Sequence, residues 1–210
     1  MTSQRSIGYL GPHGTFTEQA VLSEPDLAEY DGHLFTSMPA VLNAVESGEL
    51  DLGFAAIENS IEGTVNATID TLAFSSNLLI QREVVIPISM ELLVAPGTTL
   101  ESIETVVSFP HAIAQCRVWL AEHLPGARHS AANSTADAVE LVATAGDPTV
   151  AAIGNRLAGS IYGLAELANS IEDTEDNQTR FVTVARQGVP KITGNDKTSI
   201  VIIQRDDRPG

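Results

Sequence analysis

Short apolar runs that alternate with helix-forming stretches are the feature of this sequence that most constrains its fold. The runs have the length of buried strands, and turn-forming residues bound them. Several of the intervening stretches begin with a capping residue or a proline, and one ends at Gly48, as helices do. This alternation predicts an α/β fold built from β-α-β units with parallel strands. Strands are predicted over 7–10, 34–36, 52–58, 105–108, 128–132, 149–153 and 180–184, and helices over about 15–28, 39–47, 65–74, 110–123, 134–145 and from 155 onward.

Two regions depart from this alternation. Residues 78–95 are rich in β-forming side chains but contain Pro87, which is consistent with two strands or with a segment that crosses between two lobes. Residues 187–196 are rich in turn formers and are predicted to be a linker. Residues 197–204 then have the pattern of a strand, and a single strand cannot fold alone. We therefore expect this strand either to open a second domain or to pair with the first.

The chain is strongly acidic, with 11 lysines and arginines against 27 aspartates and glutamates and a formal net charge of −16. Nucleic acids and anionic membranes bind cationic surfaces, so this balance argues against both as partners. Residues 1–180 contain 24 acids and only six cations, all of them arginines. If this part of the chain binds an anionic small molecule, helix N-termini must therefore help the few arginines to supply positive charge.

The cysteine, histidine and N-terminal patterns narrow the function further. The single cysteine, Cys116, excludes an internal disulfide and a cysteine-based zinc site, and the five histidines lack the spacing of a helical metal site. The first residues do not have the charged and apolar regions of a signal peptide, and no apolar run is long enough to cross a membrane. We therefore expect a cytoplasmic protein without a bound metal.

Polar residues cluster where predicted strands end, which is where open α/β sheets bind ligands. The loop Gly11–Thr15 lacks the spacing of a dinucleotide or P-loop motif, so it indicates either an anion site or an ordinary turn. The loop 58–65 contains two carboxylates, an amide and two hydroxyls, which is typical of a binding loop or of a solvent-exposed Asx turn. Thr179 and Arg180 begin another strand, where the arginine either binds an anion or pairs with the acidic residues 172–176.

Four motifs in one order resemble a known family. Gly-Pro-x-Gly-Thr-Phe occupies 11–16, Glu-Asn-Ser-x-Glu-Gly-Thr-Val occupies 58–65, Ser-x-Pro followed by Gln-Cys occupies 108–116, and Thr-Arg-Phe occupies 179–181. Together they resemble the prephenate dehydratase family over about residues 6–186. Residues 194–202 are similar to the start of the ACT regulatory domain that follows in that family.

The resemblance implies two α/β lobes of mixed and parallel sheet flanked by helices, similar to a type II periplasmic binding protein, with the active site in the cleft between them. The implied catalytic domain spans 1–186, with lobe 1 over about 1–80 and 178–186 and lobe 2 over about 85–175. A linker, 187–196, and the start of a truncated ACT domain, 197–210, are expected to follow. A homodimer or homotetramer is also expected, because members of the family are usually dimers or tetramers.

The implied activity converts prephenate to phenylpyruvate, water and carbon dioxide in phenylalanine biosynthesis, without a cofactor. We expect Arg180 to bind a carboxylate of the substrate and Thr179 to donate a hydrogen bond to the leaving hydroxyl, with a buried Glu58 or Glu62 as an alternative proton source. Here Phe109 and His111 replace residues of a motif that is often Ser-His-Pro-Gln in the family, so the resemblance implies no role for them. The implied catalytic residues are Thr179, Glu58 and Ser108, and the implied substrate-binding residues are Thr15, Asn59, Ser60, Glu62, Gly63, Thr64, Gln115, Arg180 and Phe181.

Two other functions are consistent with the same motifs. Arogenate dehydratase performs the same elimination on the transaminated substrate. A non-catalytic, intracellular ligand-binding module has the same two lobes and cleft but no turnover. The motifs do not separate these alternatives.

Overall fold

The computed structural model describes residues 4–188, 191–200 and 202. These residues form two β-sheets with helices packed against them, which confirms the predicted two-lobed α/β fold. The strands are β1 (Ser6–Leu10), β2 (Asp31–Phe35), β3 (Leu52–Asn59), β4 (Gly63–Thr64), β5 (Leu79–Pro87), β6 (Glu91–Val94), β7 (Thr105–Ser108), β8 (Arg128–Ala131), β9 (Val150–Gly154), β10 (Ala165–Ala168) and β11 (Gln178–Ala185). The helices are α1 (Phe16–Leu22), α2 (Pro25–Ala28), α3 (Met38–Ser47), α4 (Asn66–Asp70), α5 (Pro110–Gln115), α6 (Arg117–His123), α7 (Thr135–Ala145) and α8 (Arg156–Tyr162).

Each sheet mixes parallel and antiparallel strands. The first has the order β2-β1-β3-β11-β5, with β4 paired to β3, and β11 runs antiparallel to both β3 and β5. The second has the order β10-β6-β9-β7-β8, in which β7 is parallel to β8 and β9 while β6 is antiparallel to β9 and β10. The parallel β-α-β units predicted from the sequence therefore account for only part of each sheet, because β6 and β11 enter from the opposite lobe.

The chain crosses between the sheets twice, after β5 and before β11. The two crossings lie side by side, because the backbone N–H of Ile88 donates to the carbonyl of Asn177 (2.8 Å). The strand β5 belongs to the first sheet along its whole length, so the crossing begins after Pro87 and not at about residue 80 as expected. β5 lies at the sheet edge, where the missing N–H of a proline leaves no carbonyl of a neighbouring strand unpaired.

Side-chain caps set where the helices begin. Thr15 Oγ1 accepts from Glu18 N (3.1 Å) at the start of α1, and Ser134 Oγ accepts from Asp137 N (3.0 Å) at the start of α7. The helix predicted over 15–28 is divided because Pro25 begins the separate helix α2. The helix predicted over 110–123 is divided at Cys116, whose φ of −111° and ψ of 14° are not helical.

The core residues include Phe54 and Phe181, whose stacked rings have centroids 5.2 Å apart. Cys116 is fully buried, and burial raises its pKa to about 12, so it is a protonated core thiol as the sequence indicated. In the described residues no cluster of side chains suits a metal ion, and no helix is long and apolar enough to span a membrane.

The C-terminal strand prediction is wrong where it can be compared with the structure. Residues 197–200 and 202 are not part of a strand, and the rest of the segment 197–204 lies outside the described residues. A strand is stable only when a neighbouring strand takes up its backbone hydrogen bonds, and these described residues pair with neither sheet.

Candidate functional site

A cavity of about 480 Å³ lies between the lobes, where the two crossings meet. Residues of both lobes and of both crossings line it. Its apolar wall contains Leu10, Phe16, Ile88, Met90, Phe109 and Ala112. Its polar wall contains Thr15, Asn59, Glu62, His111, Gln115, Asn133, Ser134, Thr135, Asn177 and Thr179.

Thr179 and Asn59 meet at this wall because β11 and β3 place them opposite each other in the first sheet. The amide nitrogen of Asn59 donates to Thr179 Oγ1 (2.9 Å) and to Asn177 Oδ1 (2.8 Å). The amide oxygen of Asn59 accepts from the backbone N–H groups of Ile61 and Glu62, both at 2.9 Å. The Asx turn that the sequence indicated is therefore present, and the side chain that forms it also faces the cavity.

A chain of side-chain hydrogen bonds continues from Asn177 across the cleft. Asn177 Nδ2 donates to Gln115 Oε1 (3.1 Å), and Gln115 Nε2 donates to Glu62 Oε1 (3.0 Å). The other carboxylate oxygen of Glu62 lies 2.7 Å from His111 Nδ1. Gln115 and His111 lie on α5 of the second lobe, whereas Glu62 belongs to the first, so this chain joins the lobes.

Two helices begin at the cavity wall. Thr15 is the N-cap of α1, and Ser134 is the N-cap of the longer helix α7. The first N–H groups of a helix have no partner within the helix, so this end is suited to an anion. The sequence indicated the cap of α7 but not its place in the site. No helix begins at Ser60, which also does not line the cavity: its Oγ donates to Asp176 O (3.1 Å) and accepts from Gln178 N (2.9 Å).

A buried carboxylate shapes the loop that carries Thr15. Glu18 accepts from the backbone N–H of Gly14 (2.5 Å) and contacts His13 Nδ1 (2.8 Å). The hydroxyl of Tyr9 also donates to Glu18 (3.4 Å), and burial, reinforced by the charge of Glu18, raises the Tyr9 pKa to about 12. These contacts hold the loop Gly11–Thr15 against the start of α1.

Arg180 and Glu58, both predicted to lie in the site, do not line the cavity. Successive side chains of a strand point to opposite faces, so Arg180 points away from the side of Thr179. Its guanidinium binds Glu58 Oε2 (3.0 Å) and Glu83 Oε2 (3.2 Å). The expected contacts of Arg180 and Glu58 with a substrate are thus not supported by this arrangement, because each charge is already paired with the other.

The remaining predicted residues also lie off the cavity. Ser108, predicted to be catalytic, is fully buried, and its hydroxyl donates to the carbonyl of Ile153 (2.7 Å). Phe181 is buried in the core. Gly63 and Thr64 pair with the end of β3 as the short strand β4. None of these four residues is among those that line the cavity.

Sequence reasoning missed Asn177 and left Phe109 and His111 without a role. Asn177 stands two residues before Thr179, at the end of an acidic loop, and that position was the one signal that could have indicated it. The stacked rings of Phe109 and His111 have centroids 5.4 Å apart. Their place at the wall depends on how the two lobes meet, which no local pattern encodes.

Comparison with known proteins gives one family. A family model described as prephenate dehydratase matches residues 7–189. A curated prephenate dehydratase from Mycolicibacterium vanbaalenii is 43% identical and covers 97% of this chain and 69% of its own length. The crystal structure of prephenate dehydratase from Arthrobacter aurescens in complex with L-Phe aligns with a TM-score of 0.83 and 39% identity, over 90% of this chain and 63% of that one.

A third similar protein is described by a different activity. The structure of GqqA, described as a novel type of quorum quenching acylase, aligns with a TM-score of 0.76 and 26% identity, over 89% of this chain and 66% of its own. This chain therefore spans between 63% and 69% of the length of these three proteins.

Proposed function

The chain belongs to the prephenate dehydratase family, and from this premise we propose that it converts prephenate to phenylpyruvate, water and carbon dioxide. The carbon–carbon bond to the ring carboxylate breaks and its electron pair enters the ring, while the carbon–oxygen bond to the hydroxyl breaks. The departing hydroxide takes up a proton, and the ring becomes aromatic. The protein must therefore bind a dianion and supply a proton at the hydroxyl.

The observation that carries this proposal is the hydrogen bond that Asn59 donates to Thr179 Oγ1 (2.9 Å) at the cavity wall. A threonine hydroxyl has one proton to donate. Because its oxygen already accepts from Asn59, the proton of Thr179 can be directed at the leaving hydroxyl. The bond from Asn59 also stabilises negative charge that develops on the threonine oxygen, which lowers the cost of giving up the proton.

The two glutamates that were alternative proton sources are less well placed. Glu58 is paired with Arg180 and lies off the cavity. Glu62 lines the cavity, but Gln115 Nε2 and His111 Nδ1 each contact one of its oxygens at 3.0 Å and 2.7 Å. Both oxygens of this carboxylate are thus already engaged by side chains of the opposite lobe.

Helix dipoles are proposed to supply much of the positive charge for the dianion. None of the six arginines of residues 1–180 is among the described residues that line the cavity. The first turn of α7, at Ser134 and Thr135, faces the cavity and is proposed to bind one carboxylate. The capped start of α1 at Thr15 adds the partial positive charge of a second helix N-terminus. Arg180 is proposed to hold β3 and β11 together beside Thr179.

The apolar wall is proposed to hold the cyclohexadiene ring. Phe16, Ile88, Met90 and Phe109 line one continuous cavity together with Thr179. A pocket of this composition binds an apolar ring, while a few polar groups fix its orientation. The arrangement therefore matches a substrate that carries a hydroxyl at one end of a ring and carboxylates at the other.

Replacing Thr179 tests the proposed proton donation. We expect Thr179→Val to lower turnover by about 10²- to 10⁴-fold, the usual contribution of a general acid, because the side chain keeps its shape and loses its hydroxyl. Thr179→Ser, which keeps the hydroxyl, is the matched control and should retain most of the activity. Turnover is measured as the alkaline absorbance of phenylpyruvate formed from prephenate.

Two outcomes of this assay contradict the proposal. Wild-type turnover by Thr179→Val would remove the hydroxyl from the mechanism. A folded wild-type protein that binds prephenate without forming phenylpyruvate would instead support the ligand-binding module.

We propose that residues 197–210 begin an ACT regulatory domain, on the similarity of 194–202 to that domain. We also propose a homodimer or homotetramer, a cytoplasmic location and no cofactor, as is usual in the family.

A further inference from the structure

The carboxylate of Glu62 is the group of this cavity whose charge bears on the choice of substrate. Prephenate is a 2-keto acid and a dianion, whereas its transaminated counterpart, arogenate, carries an ammonium in place of the keto oxygen. Among the described residues that line the cavity, Glu62 is the sole carboxylate and His111 is the sole side chain that can be cationic. A free carboxylate here would attract the ammonium and repel the dianion.

Glu62 is not free in this structure. Gln115 Nε2 donates to Oε1 (3.0 Å), and His111 Nδ1 lies 2.7 Å from Oε2. The His111 Nδ1–Glu62 Oε2 contact is within ion-pair distance, and the imidazole contributes a positive charge to it when both ring nitrogens carry a proton. Both carboxylate oxygens therefore contact a polar side chain of α5 of the opposite lobe.

Two further contacts fix this arrangement. The ring of His111 stacks on Phe109, with an interplanar angle of 14°, so contact with the phenyl ring restricts the orientation of the imidazole. The backbone N–H of Glu62 donates to Asn59 Oδ1 (2.9 Å), and the same asparagine donates to Thr179. The carboxylate is thus positioned by the turn that also positions the proposed proton donor.

We propose that His111 is a specificity-determining positioning residue: by holding the Glu62 carboxylate, it makes the cavity select the 2-keto acid over the 2-amino acid. This inference rests on the proposed function, because it concerns the two substrates of the same elimination. It assigns a role to a histidine for which the family resemblance implied none. It concerns selection between substrates and leaves proton transfer to Thr179.

The test compares kcat/KM for prephenate and for arogenate in four variants. His111→Leu removes this polar partner of the carboxylate, and we expect the arogenate-to-prephenate ratio to rise about threefold to fivefold, the size expected for a partly exposed contact to a carboxylate. His111→Gln keeps a donor and should leave the ratio near that of the wild type. His129→Leu, an exposed histidine of β8 outside the cavity, is the matched control.

The fourth variant assigns the effect to the carboxylate. In His111→Leu combined with Glu62→Gln the negative charge is absent, so the ratio should return toward the wild-type value. A ratio within twofold of wild type in His111→Leu overturns the proposal, and so does an increase that persists in the double variant.

The test also separates this inference from the proposed function. If the folded wild-type protein turns over neither acid, the proposed function fails. The inference is then decided by the ratio of the two dissociation constants, measured by calorimetry on the same four variants, with the same outcomes supporting or overturning it.

Discussion

Glu91 is a buried carboxylate that lies outside the proposed site. It stands at the start of β6, only 5% exposed, and accepts from Ser89 Oγ (3.3 Å), while its second oxygen has no partner among the described residues. Burial, reinforced by the nearby charge of Glu166, raises its pKa from 4.5 to about 7. The folded protein therefore holds a proton on Glu91 at a pH where the unfolded chain does not.

This difference predicts a pH-dependent stability. The contribution of Glu91 to the free energy of unfolding is fully present below pH 4.5. It is lost as the pH rises to about 7, because the folded state must then carry a buried charge. Glu91→Gln cannot ionise, so its free energy of unfolding should exceed that of the wild type at pH 8 by up to about 3 kcal/mol and approach it at pH 4.5.

Urea denaturation at a series of pH values measures this difference. Glu104→Gln, which removes an exposed carboxylate of the same lobe, controls for the change of net charge. A gap between Glu91→Gln and wild type that is constant from pH 4.5 to pH 8 contradicts the raised pKa.

Single residues also show what a sequence can reveal about this site. Thr179, Asn59 and Gln115 were found because each belongs to a motif whose local order is visible. The partners of Arg180 were not, because Glu58 and Glu83 are far away in the chain and reach the arginine through the pairing of β11 with β3 and with β5. A motif reveals the residue type at a position, and only the sheet register reveals which face the side chain takes.

The secondary-structure elements show the same difference between what the sequence reveals and what only the fold reveals, and the helix α3 is an example of the first. The proline near its start and its end at Gly48 agree with the predicted helix over 39–47, because both signals act within one turn of helix. β10 was not predicted, since its four residues pair with β6 with a register shift and have no pattern of their own. Elements with local signals were predictable, and those that depend on a neighbouring strand were not.

Gly48 gives a prediction for this element. Its φ of +86° is in the left-handed region, which an alanine side chain disfavours, and a Cβ there would also meet the guanidinium of Arg186. We expect Gly48→Ala to lower the free energy of unfolding by about 1 kcal/mol, measured by urea denaturation. Gly126→Ala, at a position with open space and no left-handed φ, should change it by less than about 0.5 kcal/mol. Equal changes in the free energy of unfolding for the two substitutions would contradict the explanation from the left-handed φ of Gly48 and its contact with Arg186.

The charge of the whole molecule was predictable as a sum but not as an arrangement. Six arginines among 24 acids in residues 1–180 suggested that some arginines converge on the cleft. Instead Arg82, Arg117, Arg156 and Arg180 pair with carboxylates, and none of the six lines the cavity in the described residues. In so acidic a chain four of these six arginines pair with a nearby carboxylate, and the cavity is left with helix N-termini and amides. The position of the cavity itself follows from the two crossings, which only the topology shows.

The closeness of the two lobes gives a prediction for the whole molecule. Gly14, in the first lobe, has a φ of +84°, and a Cβ there would lie 2.8 Å from the Cβ and 2.9 Å from the Cα of Ala158 in α8 of the second. Tyr162 of the same helix donates to the carbonyl of His13 (3.3 Å). Because these atoms are too close to accommodate a methyl group, Gly14→Ala should keep the lobes from reaching this arrangement. We expect the KM for prephenate to rise roughly tenfold.

A matched substitution separates lobe contact from backbone strain. Gly163 also has a positive φ, +73°, but a Cβ there meets nothing within 4 Å, so Gly163→Ala carries similar strain without a clash between lobes. If closure of the lobes is what matters, Gly14→Ala should raise KM and increase the radius of gyration measured by small-angle X-ray scattering, while Gly163→Ala should do neither. If KM rises to the same extent in both variants, Gly14 is required for its backbone conformation, and the contact with Ala158 has no part in binding.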